Sequence, residues 1–285
     1  MIDLGQYFTA VREENGIAFC SLEDNTASKF SEEMQDSLFQ LEDTSWWFQY
    51  RADVIASLAE KSFVFDRTTI DCGGGNGYTT YCMQQKGCRI ALLEPTLTAC
   101  QNGKRRGLRT VVCGTLEKDT VKDGSIEQLL LLDVLEHIED DAQFLRTVYE
   151  KLAPDGKLLL TVPAFQALWS SEDTAAGHYR RYRLEGLRRL AQASGFSVEY
   201  ANYFMEFLFL PILFVRVGLE RLGLLKPAGE RTSAERKEVA EKQFKERGGV
   251  TRFALEVLER IELGRLLRGR RVRFGSSIIC VLRKG

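Results

Sequence analysis

The sequence predicts an α/β protein built on one mostly parallel sheet, and two observations support this prediction. Between residues 68 and 201, short β-rich runs alternate with segments of helical periodicity, which is typical of βαβ units. The last apolar run, Ser276–Leu282, also has strand character and needs a sheet to join. We therefore expect a single sheet that is completed by the end of the chain.

Six strands are expected before the terminal one, and each is a short apolar run. They are Thr68–Asp71, Arg89–Leu93, Thr110–Cys113, Gln128–Leu132, Lys157–Val162 and Phe196–Tyr200. Helical periodicity over 140–152 ends in a Pro-Asp-Gly turn, and a second helix, 184–193, ends at Gly195. Ser45 is the expected N-cap of an earlier helix that runs to about Glu60.

This order divides the chain into three parts. Residues 1–66 form an N-terminal segment with a cap helix, although 1–44 give only weak signals. Residues 67–202 and 272–285 form the core. Residues 203–271 are a helical insertion before the last strand, and the individual character of the protein is expected there.

Composition excludes several classes of protein. The chain has 285 residues, of which 44% are hydrophobic and 28% charged, with a formal net charge of -1. These values are typical of a globular protein with one core and an accessory piece, and they give no reason to expect a nucleic-acid partner. The seven cysteines are scattered without a C-x-x-C pair, as in reduced proteins. The oligomeric state stays open.

The expected location is the cytoplasm, either free or peripherally bound at the inner face of a membrane. The first residues show neither the basic start nor the apolar region of a signal peptide. The longest apolar run, Phe207–Val215, is far shorter than the about 20 residues that span a bilayer.

A glycine cluster follows the first strand and predicts a nucleotide-cofactor site. Glycine permits positive φ and a close ligand approach, and the start of the next helix offers free N–H groups. The dinucleotide fingerprint G-x-G-x-x-G would need glycine where Tyr78 stands. The spacing is instead Asp71-x-Gly73-x-Gly75-x-Gly77.

This spacing resembles motif I of the class I S-adenosylmethionine methyltransferases. Three later segments match the family in order: an acid after the second strand, a Gly-Thr-Leu-Glu run at 114–117, and Asp-Val-Leu-Glu-His at 133–137. The resemblance implies a Rossmann-like fold with a seven-stranded sheet, an N-terminal helical cap and a helical insertion before the last strand. It also implies S-adenosyl-L-methionine as the cofactor.

The resemblance assigns cofactor contacts to the matching positions. The loop would hold the methionine part, the acid the ribose, the third strand's end the adenine, and the N-terminal helix would close over the site. The implied residues are Asp71, Cys72, Gly73, Gly75, Gly77, Glu94, Pro95, Thr115, Leu116, Asp133, Tyr50 and Arg51. A nicotinamide-dependent oxidoreductase and a non-catalytic cofactor-binding protein are the competing interpretations.

The only two histidines, His137 and His178, suggest the chemistry. If 133–137 is helical, Asp133, Glu136 and His137 face one side, and His178 follows the fifth strand at the same edge of the sheet. The pattern is similar to that of small-RNA 2′-O-methyltransferases and ubiquinone-pathway O-methyltransferases, which use a divalent metal. The four residues are therefore candidate metal ligands. Catalysis by either histidine as a general base, or a structural role, stays open.

The acceptor is expected to be a small-molecule or lipid-linked compound that is methylated at a hydroxyl. Phe165, Trp169, His178 and Arg181 follow the fifth strand and are the candidate substrate contacts. The apolar segment at 203–223 predicts either peripheral membrane contact or a core or dimer helix. A later cluster of arginines could hold anionic groups.

Overall fold

The computed structural model describes residues 2–20, 32–116, 120–231, 235 and 250–285, and in these residues one sheet organises the molecule. Seven strands correspond to the predicted ones, and two more come from the N-terminal segment. The strands are β1 Arg12–Glu14, β2 Ile17–Phe19, β3 Thr69–Cys72, β4 Ile90–Glu94, β5 Val111–Cys113, β6 Ile126–Leu132, β7 Leu152–Pro163, β8 Phe196–Phe204 and β9 Ser277–Lys284.

The strand order is β1-β2-β5-β4-β3-β6-β7-β9-β8. Strands β2, β5, β4, β3, β6 and β7 form parallel pairs, whereas β9 runs antiparallel to both of its neighbours, β7 and β8. The predicted α/β class and mostly parallel sheet are confirmed. The terminal strand does join the sheet, but it lies between two strands instead of at an edge.

The predicted seven-stranded sheet has two additional strands because β1 and β2 form a hairpin. Asn15 and Gly16 connect them with φ values of 53° and 76°. This pair of left-handed residues gives the twist that a two-residue hairpin needs. The hairpin places Ile17 and Ala18, both buried, beside β5.

Helices pack against the sheet, and the three helices that the sequence predicts, at 45–60, 140–152 and 184–193, agree with the observed bounds to within two residues. They are α1 Glu32–Glu42, α2 Trp46–Ser62, α3 Tyr78–Gln85, α4 Leu97–Arg105, α5 Asp141–Lys151, α6 Ser171–Ala176, α7 Leu184–Ala193, α8 Glu206–Pro211, α9 Leu219–Arg221 and α10 Val250–Leu267. A π-helix, Ile212–Gly218, joins α8 to α9. Ser45 occupies the N-cap position of α2, but its buried hydroxyl makes no cap hydrogen bond.

The core lies on both faces of the central strands. Leu129, Leu130 and Leu131 in β6, and Leu158, Leu159 and Leu160 in β7, are fully buried. A parallel sheet covered on both sides needs such continuous apolar runs, because alternate side chains point to opposite faces. No described helix is both long enough and apolar enough to cross a bilayer.

The predicted insertion begins later than expected, since β8 extends to Phe204. The carboxylate of Glu262 in α10 anchors it to the core. It accepts the backbone N–H groups of Met205 and Glu206, at 3.1 and 2.6 Å, and the hydroxyl of Tyr50 from α2. Burial raises the pKa of Glu262, and these hydrogen bonds oppose the shift. One carboxylate thus joins α2, the end of β8 and α10.

A second anchor binds the insertion to α6. Glu220 accepts the backbone N–H and the hydroxyl of Ser171, at 3.0 and 2.9 Å, and thereby caps this helix. Arg231 forms an ion pair with Glu172 one residue later. The insertion therefore holds the start of α6 through two contacts, at Ser171 and Glu172.

We predict that Glu262→Ala lowers the free energy of unfolding by about 3 kcal/mol, because it leaves buried donors without an acceptor. Urea denaturation measures this value. The matched control is Glu256→Ala in the same helix, where an exposed ion pair with Arg252 is lost. That change should cost less than about 1 kcal/mol, and equal losses for both variants would contradict the anchor.

Candidate active site

The glycine loop after β3 has the backbone geometry that the sequence predicts. Gly73, Gly75 and Gly77 have φ values of 73°, 56° and 76°. A Cβ atom on Gly73 would lie 2.7 Å from Val134, and one on Gly77 would lie 2.6 Å from Leu108, so both positions need glycine for packing. Gly75 meets nothing within 4 Å. Its open face is where a ligand can approach the backbone.

A cavity of about 190 Å³ lies in front of this loop. Its walls come from α2, the glycine loop, α3 and the end of β6. The lining residues are Trp47, Phe48, Arg51, Asp71, Gly73, Gly74, Gly75, Thr79, Leu132 and Asp133. Three of these residues belong to α2, so the cap helix covers the loop as expected. Gly74 was not among the predicted cofactor residues, and a Cβ there would lie 2.6 Å from Asp71 and Leu92.

Asp71 supports the loop from within the core. Thr80 donates a hydrogen bond to Asp71 Oδ2 at 2.5 Å, while Oδ1 is buried without a hydrogen-bond partner. Burial raises the pKa of Asp71 to about 6, although Thr80 and Arg51 oppose the shift. Cys72, the next residue, is also buried, and burial raises the pKa of its thiol.

Glu94 stands at the end of β4 beside the loop. Its two oxygens accept the N–H groups of Gly75 and Thr96, each at 3.1 Å. Burial raises the pKa of Glu94, and these hydrogen bonds oppose the shift. Pro95 next to it is exposed. The acid thus lies where a ligand in the glycine loop would meet it.

Arg51 and Asp133 form an ion pair of 2.8 Å at the cavity wall. Thr161 of β7 joins them, since its hydroxyl lies 3.2 Å from Arg51 Nη2 and donates to Asp133 at 3.0 Å. Asp133 has a φ of 56° and lies outside the following 3-10 helix, Leu135–His137. The predicted helix over 133–137 was therefore wrong, and Asp133 points to Arg51 instead of to the histidines.

Three further predicted cofactor residues, Tyr50, Thr115 and Leu116, do not line the cavity. Tyr50 is 4% exposed, bonds to Glu262 and contacts Phe207, so it anchors α2 to the insertion and does not line the cavity. Leu116 is buried in the core, and Thr115 is half-buried with its carbonyl bound to Thr120. Neither lines the cavity, and the adenine contact remains a prediction. Glu117 of the same motif lies outside the described residues.

The three remaining metal candidates do come together. One ligand atom from each of Glu136, His137 and His178 lies within 4.8 Å of the others. The histidine rings meet edge to face with centroids 4.7 Å apart. Glu136 is 1% exposed, and its Oε2 has no hydrogen-bond partner. Burial, followed by the nearby Asp133 carboxylate, raises the pKa of Glu136 well above its usual range.

Asp173 organises this cluster, and the sequence prediction missed it. Its Oδ1 lies 3.0 Å from His178 Nδ1 and 2.7 Å from Arg181 Nε, and its Oδ2 accepts Arg181 Nη2 at 3.0 Å. Burial opposes ionisation, but the bonds from His178 and Arg181 prevail and lower the pKa of Asp173 to about 2. The capping box Ser170-x-x-Asp173 was a visible signal for this residue.

The predicted substrate contacts have different surroundings. The guanidinium of Arg181 donates hydrogen bonds to Asp173 and to the carbonyl oxygen of Ala164. It therefore positions Asp173 and is not free for a substrate. Phe165 has a φ of 56° and stacks on Tyr203 at 4.8 Å. Trp169 is half-buried beside α6. Contact of Phe165, Trp169 or His178 with a substrate remains a prediction.

A family model described as a methyltransferase domain matches residues 30–201, which include the glycine loop, Glu94, Asp133 and His178. The chain belongs to this methyltransferase family. The sequence-based assignment to the class I S-adenosylmethionine-dependent methyltransferases is thereby confirmed. The match ends at residue 201, before the insertion.

The following proteins resemble this methyltransferase at low sequence identity. A probable S-adenosylmethionine-dependent methyltransferase of Mycolicibacterium smegmatis (strain ATCC 700084 / mc(2)155) is 25% identical over 162 residues, 56% of this chain and 62% of the relative. Phosphoethanolamine N-methyltransferase 2 of Haemonchus contortus, solved with S-adenosyl-L-methionine, has a TM-score of 0.54 at 14% identity, covering 93% of this chain and 60% of that one.

The cyclase SpnF has a TM-score of 0.58 at 15% identity and covers 93% of this chain and 97% of its own. At such identities the structural likeness shows the fold alone. Because a cyclase and an N-methyltransferase both share this fold, the acceptor of this methyltransferase has to be argued from its own residues.

We predict that Gly73→Ala weakens the binding of S-adenosylhomocysteine at least tenfold, which is about 1.4 kcal/mol. The added Cβ collides with Val134 and displaces the loop. The control is Gly124→Ala, which has a similar φ of 64° but open space around it. Both variants carry backbone strain of about 1 kcal/mol. Calorimetric titration of each variant with S-adenosylhomocysteine therefore shows how much affinity is lost beyond the effect of that strain. Equal affinity of both variants would contradict the role of the loop.

Proposed function

We propose that this protein transfers a methyl group from S-adenosyl-L-methionine to a hydroxyl of a small-molecule or lipid-linked acceptor. The observation that carries the proposal is the Asp173–His178 pair beside Glu136, because it supplies an oriented base next to the cofactor cavity. An alcohol is a weak nucleophile at neutral pH and needs such a base.

The described residues fit the cofactor on several counts. The backbone at Gly75 is open to a ligand. A carboxylate offers about four lone-pair positions, and the two hydrogen bonds to Glu94 leave others for ribose hydroxyls. The Arg51–Asp133 pair offers a cation and an anion to the zwitterionic amino-acid end. When bound, the cofactor supplies an electrophilic methyl group.

His178 is oriented as a base by its neighbour. Asp173 is ionised at neutral pH because its pKa is lowered to about 2, so it can only accept hydrogen bonds. His178 Nδ1 therefore carries the proton in this contact, and Nε2 is the nitrogen that can take a proton from an acceptor hydroxyl. The Asp173 carboxylate then stabilises the imidazolium that forms. Arg181 holds that carboxylate with two hydrogen bonds.

Glu136 complements this base. Burial raises the pKa of its carboxyl group well above the usual range, which favours the protonated form, and a protonated carboxyl group donates a hydrogen bond. A donor and a base side by side suit a hydroxyl, which both accepts and donates. Asp133 of the cavity wall is close enough to Glu136 to raise the pKa of its carboxyl group, which supports an acceptor site beside the cofactor cavity.

The same residues favour a second mechanism for the same reaction. A carboxylate and two imidazoles suit divalent transition metals, and the buried Glu136 Oε2 without a partner fits a ligand atom. Glu136, His137 and His178 would hold such an ion, and Asp173 would orient His178 as an outer partner. A bound divalent ion would make an acceptor hydroxyl more acidic. Asp133 is not in this set because it pairs with Arg51.

We predict that His178→Ala reduces methyl transfer by roughly 10²- to 10⁴-fold, the usual contribution of a general base. Transfer of labelled methyl groups into the lipid-soluble and water-soluble fractions of a cell extract measures this loss. The affinity for S-adenosylhomocysteine should stay within about twofold, because His178 does not line the cofactor cavity. Unchanged transfer would remove His178 from the mechanism, and mass spectrometry of the product shows whether oxygen carries the methyl group.

We predict a smaller loss of methyl transfer for Asp173→Asn, because a neutral amide stabilises an imidazolium less well than a carboxylate does. Asp155→Asn, an exposed carboxylate in the turn of β7, is the control and should transfer methyl groups like the unmodified protein. Unchanged transfer by a folded Asp173→Asn variant would contradict the role of Asp173 in orienting His178.

For the metal mechanism, we predict that Mn²⁺ raises the melting temperature of the chelator-treated protein, by preferential binding to the folded state. His137→Ala and His178→Ala should each abolish the shift, whereas Asp133→Asn should retain it. An ion that produces no shift in the unmodified protein, or the same shift in all three variants, would exclude binding at this trio and leave the Asp173–His178 base as the mechanism.

A further inference from the structure

The helical segment after β8 exposes large apolar side chains to solvent. Leu210, Phe214 and Val215 are 53%, 66% and 58% exposed, and Leu222 and Leu224 beyond α9 are 73% and 71% exposed. Pro211 lies inside α8, and the π-helix begins at the next residue. Such wide turns are rare and occur frequently at functional sites. Exposed apolar residues in this number mark an interaction surface.

A second apolar row lies on α10. Phe253, Val257 and Ile261 stand four residues apart, on one side of the helix, and are 68%, 38% and 54% exposed. An ion pair of 2.6 Å between Arg265 and Glu206 ties the end of α10 to the start of α8. The two apolar rows thus belong to helices that are joined at one point.

A basic segment follows at the same junction. Arg268, Arg270, Arg271 and Arg273 are exposed, and none forms an ion pair with a described residue. No acidic residue follows Glu262 in the sequence. Phe274, 39% exposed, comes next and contacts Phe209 of the first helical segment, with ring centroids 5.4 Å apart. Four free cations therefore border exposed aromatic and aliphatic side chains.

From this combination we infer that the surface formed by residues 207–224 and 268–274, with the outer row of α10, docks on an anionic lipid membrane. Apolar side chains enter the interface between headgroups and acyl chains, while arginines bind the acidic headgroups. A second copy of the chain fits less well, because a symmetric contact would bring like-charged arginine segments together without acidic partners.

This docking goes beyond the proposed reaction and does not require it. It would also place the acceptor site near the membrane. Phe209, which touches Phe274 of the basic segment, also touches Phe165 at 5.3 Å, directly after β7. Glu220 and Arg231 of the insertion hold α6, which carries Asp173. The docking surface and the Asp173–His178 pair are thus connected through packed side chains.

The test is co-sedimentation of the full chain with vesicles of phosphatidylcholine alone or of an equimolar mixture with phosphatidylglycerol. We expect binding to the mixed vesicles that decreases with added salt. Arg270→Gln/Arg271→Gln/Arg273→Gln should weaken partitioning roughly a hundredfold, at about fivefold per arginine. Phe214→Ser/Val215→Ser should weaken it at least about tenfold.

The matched controls are Arg12→Gln/Arg67→Gln/Arg146→Gln and Val64→Ser, which change exposed residues elsewhere on the molecule. They should bind like the unmodified protein, and melting temperatures verify that all variants fold. Three results would overturn the inference: no binding to either vesicle at low salt, equal binding by the surface variants, or a dimer in solution that only Phe214→Ser/Val215→Ser dissociates. None of these readouts depends on methyl transfer, so failure here leaves the proposed reaction standing.

Discussion

The ionised carboxylate of Asp173 is the interaction on which the arrangement of His178 and Arg181 depends. Its side chain is 1% exposed, and a charge so deeply buried survives only with strong partners. Arg181 supplies two hydrogen bonds and the opposite charge, while the Ser170 N–H supplies another at 2.9 Å. With these partners in place, the carboxylate fixes the ring of His178. Loss of the carboxylate would leave the buried guanidinium of Arg181 unpaired, so geometry and stability are coupled at this residue.

The parallel sheet explains why the candidate residues meet. Strands β3, β4, β6 and β7 point in one direction, and Gly73, Glu94, Asp133 and Ala164 each stand at or just after the end of one of them. Ligands of open α/β sheets collect at this edge. The cap helix α2 contributes Arg51 from outside the sheet, and the ion pair with Asp133 attaches the cap to the edge. The glycine loop, Glu94 and the Arg51–Asp133 pair therefore lie at one edge of the sheet.

Much of this edge could be predicted from the chain alone, because strand ends and glycine spacing are local features. Gly73 and Glu94 stand at the strand ends that the sequence indicates, Arg51 lies in the predicted cap helix, and the central strands agree to within a few residues. Tyr50 does not line the cavity and Asp133 does not join the metal candidates, because a position in the chain does not reveal which neighbour a side chain will meet. Tyr50 donates a hydrogen bond to Glu262 of α10, which is distant in the sequence, and Asp133 has a positive φ that is incompatible with the predicted helix.

The role of Asp173 depended on Arg181 and His178 returning to it through a turn, which no periodicity predicts. The β1–β2 hairpin is different, since its Asn15-Gly16 signal was readable and was overlooked.

That hairpin affects how the protein behaves at high concentration. Without it, the short apolar strand β5 would offer its unpaired backbone groups to another molecule.

The hairpin covers that edge, so that β1 becomes the edge strand in place of β5. Its residues Arg12, Glu13 and Glu14 are all exposed. Charged side chains on an edge strand oppose the pairing of a second chain with that edge, because pairing would bury the charges. The first residues of the chain thus act as a guard against self-association through strand pairing, at the edge of the sheet that lies away from β9.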